Sequence, residues 1–260
     1  EFSFEWLEAE FDTVAERSAD PFYISEETKK TLHEVYKYWK GKTSSDLATS
    51  YMSPETLTAM KHNMFTPGNY FYNGIGHVTV DYGKVITYGY SEYVKEIEEE
   101  LAGMRVSDAN YCKKHALLEA MLISLRAVIR YAKRYSRLAK EMAEKEQNGT
   151  RKAELLKISE NCDRVPESGA RNFYEACQSF WFIQMLIQVE SSGHSISPGR
   201  FDQYMYPFYK KSLDAGMTRE QAQEYIDCIW VKLNDLNKCR DAVSAEGFAG
   251  YSLFQNLIAG

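Results

Sequence analysis

Phe180-Trp181-Phe182-Ile183-Gln184-Met185-Leu186-Ile187-Gln188-Val189 is apolar on nearly every side, so this stretch has to be surrounded by protein. It reads as a central helix with a short buried strand at its end. The chain then turns abruptly polar in Glu190-Ser191-Ser192-Gly193-His194-Ser195-Ile196-Ser197-Pro198-Gly199-Arg200-Phe201-Asp202-Gln203-Tyr204. Polar residues delivered from a buried element line a site or cap a helix.

Outward from this centre the pattern is helical. Ser25 before Glu26 and Glu27 is an N-cap with acids in the first turn, and Gly41 closes the segment through Leu32, Val35, Tyr36 and Trp39. Ser53-Pro54-Glu55 opens another helix, since proline at the first position gives up only an N–H that had no partner. From about Ser107 to Glu146, Leu117, Met121, Leu125, Val128 and Tyr131 recur at three- and four-residue spacing and predict a long surface helix. Thr218 with Gln221 forms a capping box ahead of Tyr225, Ile229, Val231 and Leu233. The breaks at Gln147-Asn148-Gly149-Thr150 and Arg164-Val165-Pro166-Glu167-Ser168-Gly169 are turns, too short to be domain linkers.

Composition narrows the function classes. The 260 residues are 44% hydrophobic and 14% aromatic, enough for a sizeable core. No stretch approaches the roughly 18 uninterrupted apolar residues that a membrane span requires. With 31 Lys+Arg against 37 Asp+Glu the net charge is −6, and no basic run is interleaved with aromatics, so neither nucleic acid nor a membrane is expected as a partner. Cys112, Cys162, Cys177, Cys228 and Cys239 stand apart without a CxxC pair, which predicts reduced, small buried side chains rather than a metal or disulfide framework. Glu1-Phe2-Ser3-Phe4-Glu5-Trp6 has no basic n-region, and the expectation is a cytoplasmic protein.

A second non-periodic stretch, Thr66-Pro67-Gly68-Asn69-Tyr70-Phe71-Tyr72-Asn73-Gly74-Ile75-Gly76-His77-Val78-Thr79-Val80-Asp81-Tyr82, sets three glycines beside aromatics and permits tight backbone approach. Both stretches carry a Gly-His step. His77, His194 and Ser195 together would bind hydroxyls or shuttle a proton near neutral pH, which suits a small polyol. Two histidines satisfied by backbone in a core are the competing reading. Arg200 and Asp202 are expected to form a structural ion pair, and Glu190, if buried, needs a base or a place in the pocket. His33, His62 and His115 lie in helical patterns and read as surface or packing residues.

Gly193-His194-Ser195-Ile196-Ser197-Pro198-Gly199-Arg200-Phe201-Asp202-Gln203-Tyr204-Met205-Tyr206-Pro207 strongly resembles the G-x-S-x-S-x-G-R-F-D-Q-Y-x-Y-P segment of glycyl radical enzymes of the pyruvate formate-lyase family. Ala15-Glu16-Arg17, Asp20-Pro21-Phe22, Ile24 to Lys29, Tyr38 to Thr43 and Gly250 to Leu257 agree in the same order, so the resemblance runs end to end. It implies an α/β fold: a ten-stranded barrel of two five-stranded half-sheets wrapped in helices, of which residues 1–260 would be one helix-rich part of a single domain. It also implies a glycyl radical installed by an S-adenosylmethionine-dependent activating enzyme, a thiyl radical that takes a substrate hydrogen, and a homodimeric parent. Neither the cysteine loop nor the glycine loop of the family is found in the sequence, which leads us to expect a truncated, inactive piece with no cofactor bound directly and no metal.

Asn69, His77, His194 and Ser195 match the positions at which the B12-independent glycerol and propanediol dehydratases of this family carry their substrate ligands. The resemblance therefore implies a diol dehydratase, with His77 and His194 catalytic, Asn69 and Ser195 orienting the hydroxyls, and Arg200 and Asp202 as structural support. The choline lyase and the decarboxylases differ at one of the two histidines. Hydroxyproline dehydratase, another glycyl radical C–C, C–N or C–S lyase and formate acetyltransferase remain alternatives, and a catalytically empty helical scaffold is the alternative of another class.

Overall fold

The computed structural model describes residues 4–65, 76–191, 193–236, 239–248, 253 and 255–260. The described residues form helices α1 (Phe4–Glu10), α2 (Glu26–Trp39), α3 (Ser44–Ser50), α4 (Pro54–Lys61), α5 (Tyr82–Tyr88), α6 (Tyr90–Gly103), α7 (Tyr111–Lys145), α8 (Gly149–Arg164), α9 (Phe173–Glu190), α10 (Phe201–Asp214), α11 (Arg219–Asp235) and α12 (Ala242–Phe248). Among them there is no extended strand, only two isolated parallel bridges, Val78 with Ile196 and Gly199 with Leu257. The strand expected at the end of the apolar run is absent, because α9 continues through Glu190 as helix.

The predicted helix starts are present as hydrogen bonds. Ser25 Oγ accepts the Thr28 N–H at 3.1 Å and Ser53 Oγ the Thr56 N–H at 3.2 Å. Thr218 Oγ1 accepts the Gln221 N–H at 3.1 Å while Gln221 Oε1 accepts the Thr218 N–H at 3.0 Å. Each satisfies amide donors that a helix start leaves without an intrahelical partner.

The chain divides into two compact units. The first comprises Glu1–Val78, Ile187–Ser197 and Asn234–Asn256. In it the half-buried Arg17 donates to the carbonyl of Asp20 and, through Nη1, to Glu10 Oε2 at 3.1 Å and the carbonyl of Arg240 at 2.7 Å. Arg240 in turn reaches Asp20 Oδ2 at 3.4 Å, and the Ala242 N–H donates to Glu10 Oε1. This clip ties the N-terminal segment to the start of α12, and Val14 and Ala245 of the same unit are fully buried.

The second unit comprises Thr79–Leu186, Pro198–Leu233 and Leu257–Gly260. Its α7 and α8 form a helical hairpin. The α7 residues buried there are Leu122, Ala132, Ser136, Ala139 and Ala143, and the small ones let the α8 backbone approach closely. Of the apolar residues read from the sequence, Leu117 and Met121 are 62% and 41% exposed, whereas Leu125, Val128 and Tyr131 further along α7 are half-buried. Ala132, Cys162 and Phe182 form a buried cluster flanked by Tyr131, Ile158 and Met185. Around the centre of α9, Phe180 meets Tyr82 and Phe201, and Phe201 continues to Trp230.

The cysteine expectation holds for two residues only. Cys162 and Cys177 are buried, whereas Cys112, Cys228 and Cys239 are exposed. Glu190, at the end of α9, is also exposed, so solvent supplies what a buried carboxylate would have needed from a partner.

Candidate functional site

The two Gly-His steps meet within the first unit. Val78 pairs in parallel with Ile196, the His77 N–H donates to the His194 carbonyl at 2.9 Å, and the Ser197 N–H donates to the Val78 carbonyl at 3.0 Å. The pairing sets the two imidazoles edge to face, with centroids 4.8 Å apart and planes at 78°.

The end of α9 holds the second of these segments. The Gly193 N–H donates back to the Gln188 carbonyl at 2.8 Å, and the His194 N–H donates to Ser191 Oγ at 3.3 Å. His194 and Ser195 are only 8% and 4% exposed, whereas the His77 ring side is open to solvent. A buried imidazole and an accessible one thus stand beside a buried hydroxyl, a set that can accept, donate and transfer protons to a small hydroxylated molecule.

Two of these residues hold unusual backbone. His77 has φ +54° and Ser195 φ +59°, both in the left-handed region that side chains enter at a cost of about 1–3 kcal/mol. That cost is sustained by the surrounding pairing.

Gly76 is buried against the same pairing. A Cβ at this position would stand 1.9 Å from the His194 carbonyl oxygen and 2.4 Å from its Cγ. Tight approach by glycine was legible in the sequence; its partner was not.

The remaining expected residues fall elsewhere. Asn69 lies outside the described residues. Arg200 and Asp202 belong to the second unit and form no ion pair with each other, which corrects the expectation of one. Arg200 is exposed, and Asp202 instead accepts the Gly260 N–H through Oδ2 at 3.2 Å. The segment around them is held by the Gly199–Leu257 bridge, by the Ile258 N–H donating to the Gly199 carbonyl at 2.8 Å, and by the Tyr204 hydroxyl donating to the Pro198 carbonyl at 3.0 Å. Burial raises the Tyr204 phenol above its ordinary range, so it stays a neutral donor.

His33 pairs with Glu8 and packs edge-on to Phe11, His62 caps α4, and His115 tilts against Tyr111, so these three serve packing and helix ends. Among the described residues, no group of three or more His, Cys, Asp or Glu side chains could hold a metal ion, and no helix is long and apolar enough to cross a membrane.

The profile of the family described as pyruvate formate lyase-like matches residues 1–260. The chain is 67% identical to a Roseburia inulinivorans protein solved in work on 1,2-propanediol dehydration, with a TM-score of 0.86 over 99% of this chain and 32% of that one. It is 51% identical to the glycerol-bound B12-independent glycerol dehydratase of Clostridium butyricum, with a TM-score of 0.85 over the same shares of 99% and 32%. Among curated proteins it is 36% identical to the (2S)-3-sulfopropanediol dehydratase of Klebsiella oxytoca, across 97% of this chain and 32% of that protein. The chain thus spans about a third of the length of the relatives it matches.

Proposed function

The chain belongs to the pyruvate formate lyase-like family, and on that premise we propose that it supplies one wall of the substrate pocket of a glycyl radical diol dehydratase. The full-length protein would eliminate water from glycerol or propane-1,2-diol to give an aldehyde. The observation that carries this reading is the edge-to-face pair of His77 and His194 with Ser195 alongside. The likeness to a 1,2-propanediol and a glycerol dehydratase supports the substrate class.

When installed, the glycyl radical supplies the one-electron chemistry that removes hydrogen from the carbinol carbon. The residues of this chain bind and move protons. His77 or His194 donates a proton to the neighbouring hydroxyl as it leaves, which turns a poor leaving group into water. Ser195 and Asn69 orient the two hydroxyls. The partial burial of the pair excludes water from one side and strengthens these contacts.

The same reading includes a full-length fold of a ten-stranded α/β barrel in helices, to whose parallel strands the two bridges would contribute. It also includes a homodimeric, cytoplasmic enzyme of anaerobic metabolism that depends on an S-adenosylmethionine-using activating enzyme. Arg200 and Asp202 support the segment after Pro198 through backbone rather than by pairing with each other.

A substrate panel tests the proposal. The activated full-length enzyme should release propanal from propane-1,2-diol and 3-hydroxypropanal from glycerol. Turnover of trans-4-hydroxy-L-proline without aldehyde from either diol would replace the diol reading by the hydroxyproline one.

A further inference from the structure

Gly76 touches no substrate in any reading above, yet no other residue fits its place. Its Cβ would meet the His194 carbonyl oxygen at 1.9 Å, Cγ at 2.4 Å and Cβ at 2.7 Å, where a real Cβ needs about 3 Å. The nearest of these atoms is backbone, so a side-chain rotation of His194 cannot relieve the clash. The same carbonyl accepts the N–H of His77, the very next residue. Even a methyl group would therefore push the two segments apart by about 1 Å and break that hydrogen bond.

The spacing of the two imidazoles is set by this contact. His77 and Ser195 are both held at positive φ beside it, and Ile196, the partner of Val78, is fully buried. We infer that Gly76 is a positioning residue for the dehydration, its missing side chain allowing His77 and His194 to close on one diol. The inference rests on the diol dehydratase reading.

The test uses the activated full-length enzyme carrying Gly76→Ala, with Gly103→Ala as control, since a Cβ at Gly103 meets nothing within 4 Å. Glycyl radical content is read by electron paramagnetic resonance, and kcat and KM are measured on propane-1,2-diol and on glycerol. With radical content unchanged, Gly76→Ala should lower kcat/KM about 100-fold, the cost of a misplacement of about 1 Å. It should also shift the ratio of kcat/KM between the two diols by about threefold or more, while Gly103→Ala shifts neither. That ratio is blind to the fraction of protein folded, so a merely structural role would leave it fixed.

A variant with an unchanged ratio and near-normal kcat/KM overturns the inference. If Gly76→Ala yields no folded protein, Ile196→Ala loosens the same bridge, and an unchanged diol ratio in that variant is equally fatal. His194→Ala in the same assay separates the two layers. Its loss of activity alongside a normal Gly76→Ala would sink the positioning role alone, and its full activity would sink the dehydratase site itself.

Discussion

The Tyr82 hydroxyl donates to Gln184 Oε1 with both side chains fully buried, the Tyr82 ring lying stacked on Tyr204 at 5.6 Å. Burial raises the Tyr82 phenol above its ordinary range, so it remains a donor throughout the physiological range. Tyr82→Phe keeps the stack but strips a buried oxygen of this donor. The expected loss is about 1–3 kcal/mol, read from the urea midpoint of the chain. An unchanged midpoint would mean that this contact contributes nothing.

Glu175 is the most demanding buried charge, at 1% exposure. It accepts the Arg171 N–H at 2.7 Å and Arg171 Nε at 2.9 Å, and lies 3.4 Å from Arg164 Nε. The carboxylate thereby caps the start of α9 while neutralised by two guanidinium groups. Both arginines reach solvent, which softens the penalty of losing it. Glu175→Ala should cost about 1–3 kcal/mol, less than removing a partner from a fully enclosed pair. Glu175→Gln should cost less than Glu175→Ala, and the reverse order would contradict the electrostatic account.

Thiol chemistry follows burial. Burial pushes the Cys162 thiol up to about 11 and raises Cys177 as well. Iodoacetamide at pH 8 should therefore label Cys112 and Cys228 in the folded chain and spare Cys162 and Cys177 until urea is added. Mass mapping of the alkylated peptides reads the result directly, and native labelling of Cys162 would contradict its place in the core.

Stability should fall at alkaline pH. Burial raises Tyr90 from 10.0 to about 12 and Cys162 from 9.0 to about 11. Both folded-state values lie above the unfolded ones, so the folded state binds protons more tightly. Their contribution is complete below about pH 9 and is lost as pH rises through about 11 to 12. The urea midpoint should therefore be lower at pH 11 than at pH 8.5, and a midpoint that rises would reverse the sign of the argument.

Local signals carried much of the fold. Ser25, Ser53 with Pro54, and Thr218 with Gln221 announce helix starts because a cap acts within three residues of itself. The wholly apolar face of the run from Phe180 likewise announced a buried helix. What escaped depends on distant partners. Ala132, Ala139 and Ala143 are packed because α8 lies close, which no periodicity of large residues reveals. Glu175 is satisfied by arginines that only the turn before α9 brings near. The two Gly-His steps were visible singly, but their edge-to-face pairing depends on the bridge of Val78 with Ile196. Asp202 found a backbone N–H of the last residue rather than its neighbour Arg200.

The central claim is that His77 and His194 act on one diol, and the turnover of His77→Ala and His194→Ala in the activated full-length enzyme tests it most directly. At unchanged glycyl radical content, each variant should lose about 100- to 10,000-fold in kcat/KM for propane-1,2-diol. The double variant should lose little more than either single one, because the pair works as a unit. Wild-type turnover by either single variant, with its radical in place, would contradict the account.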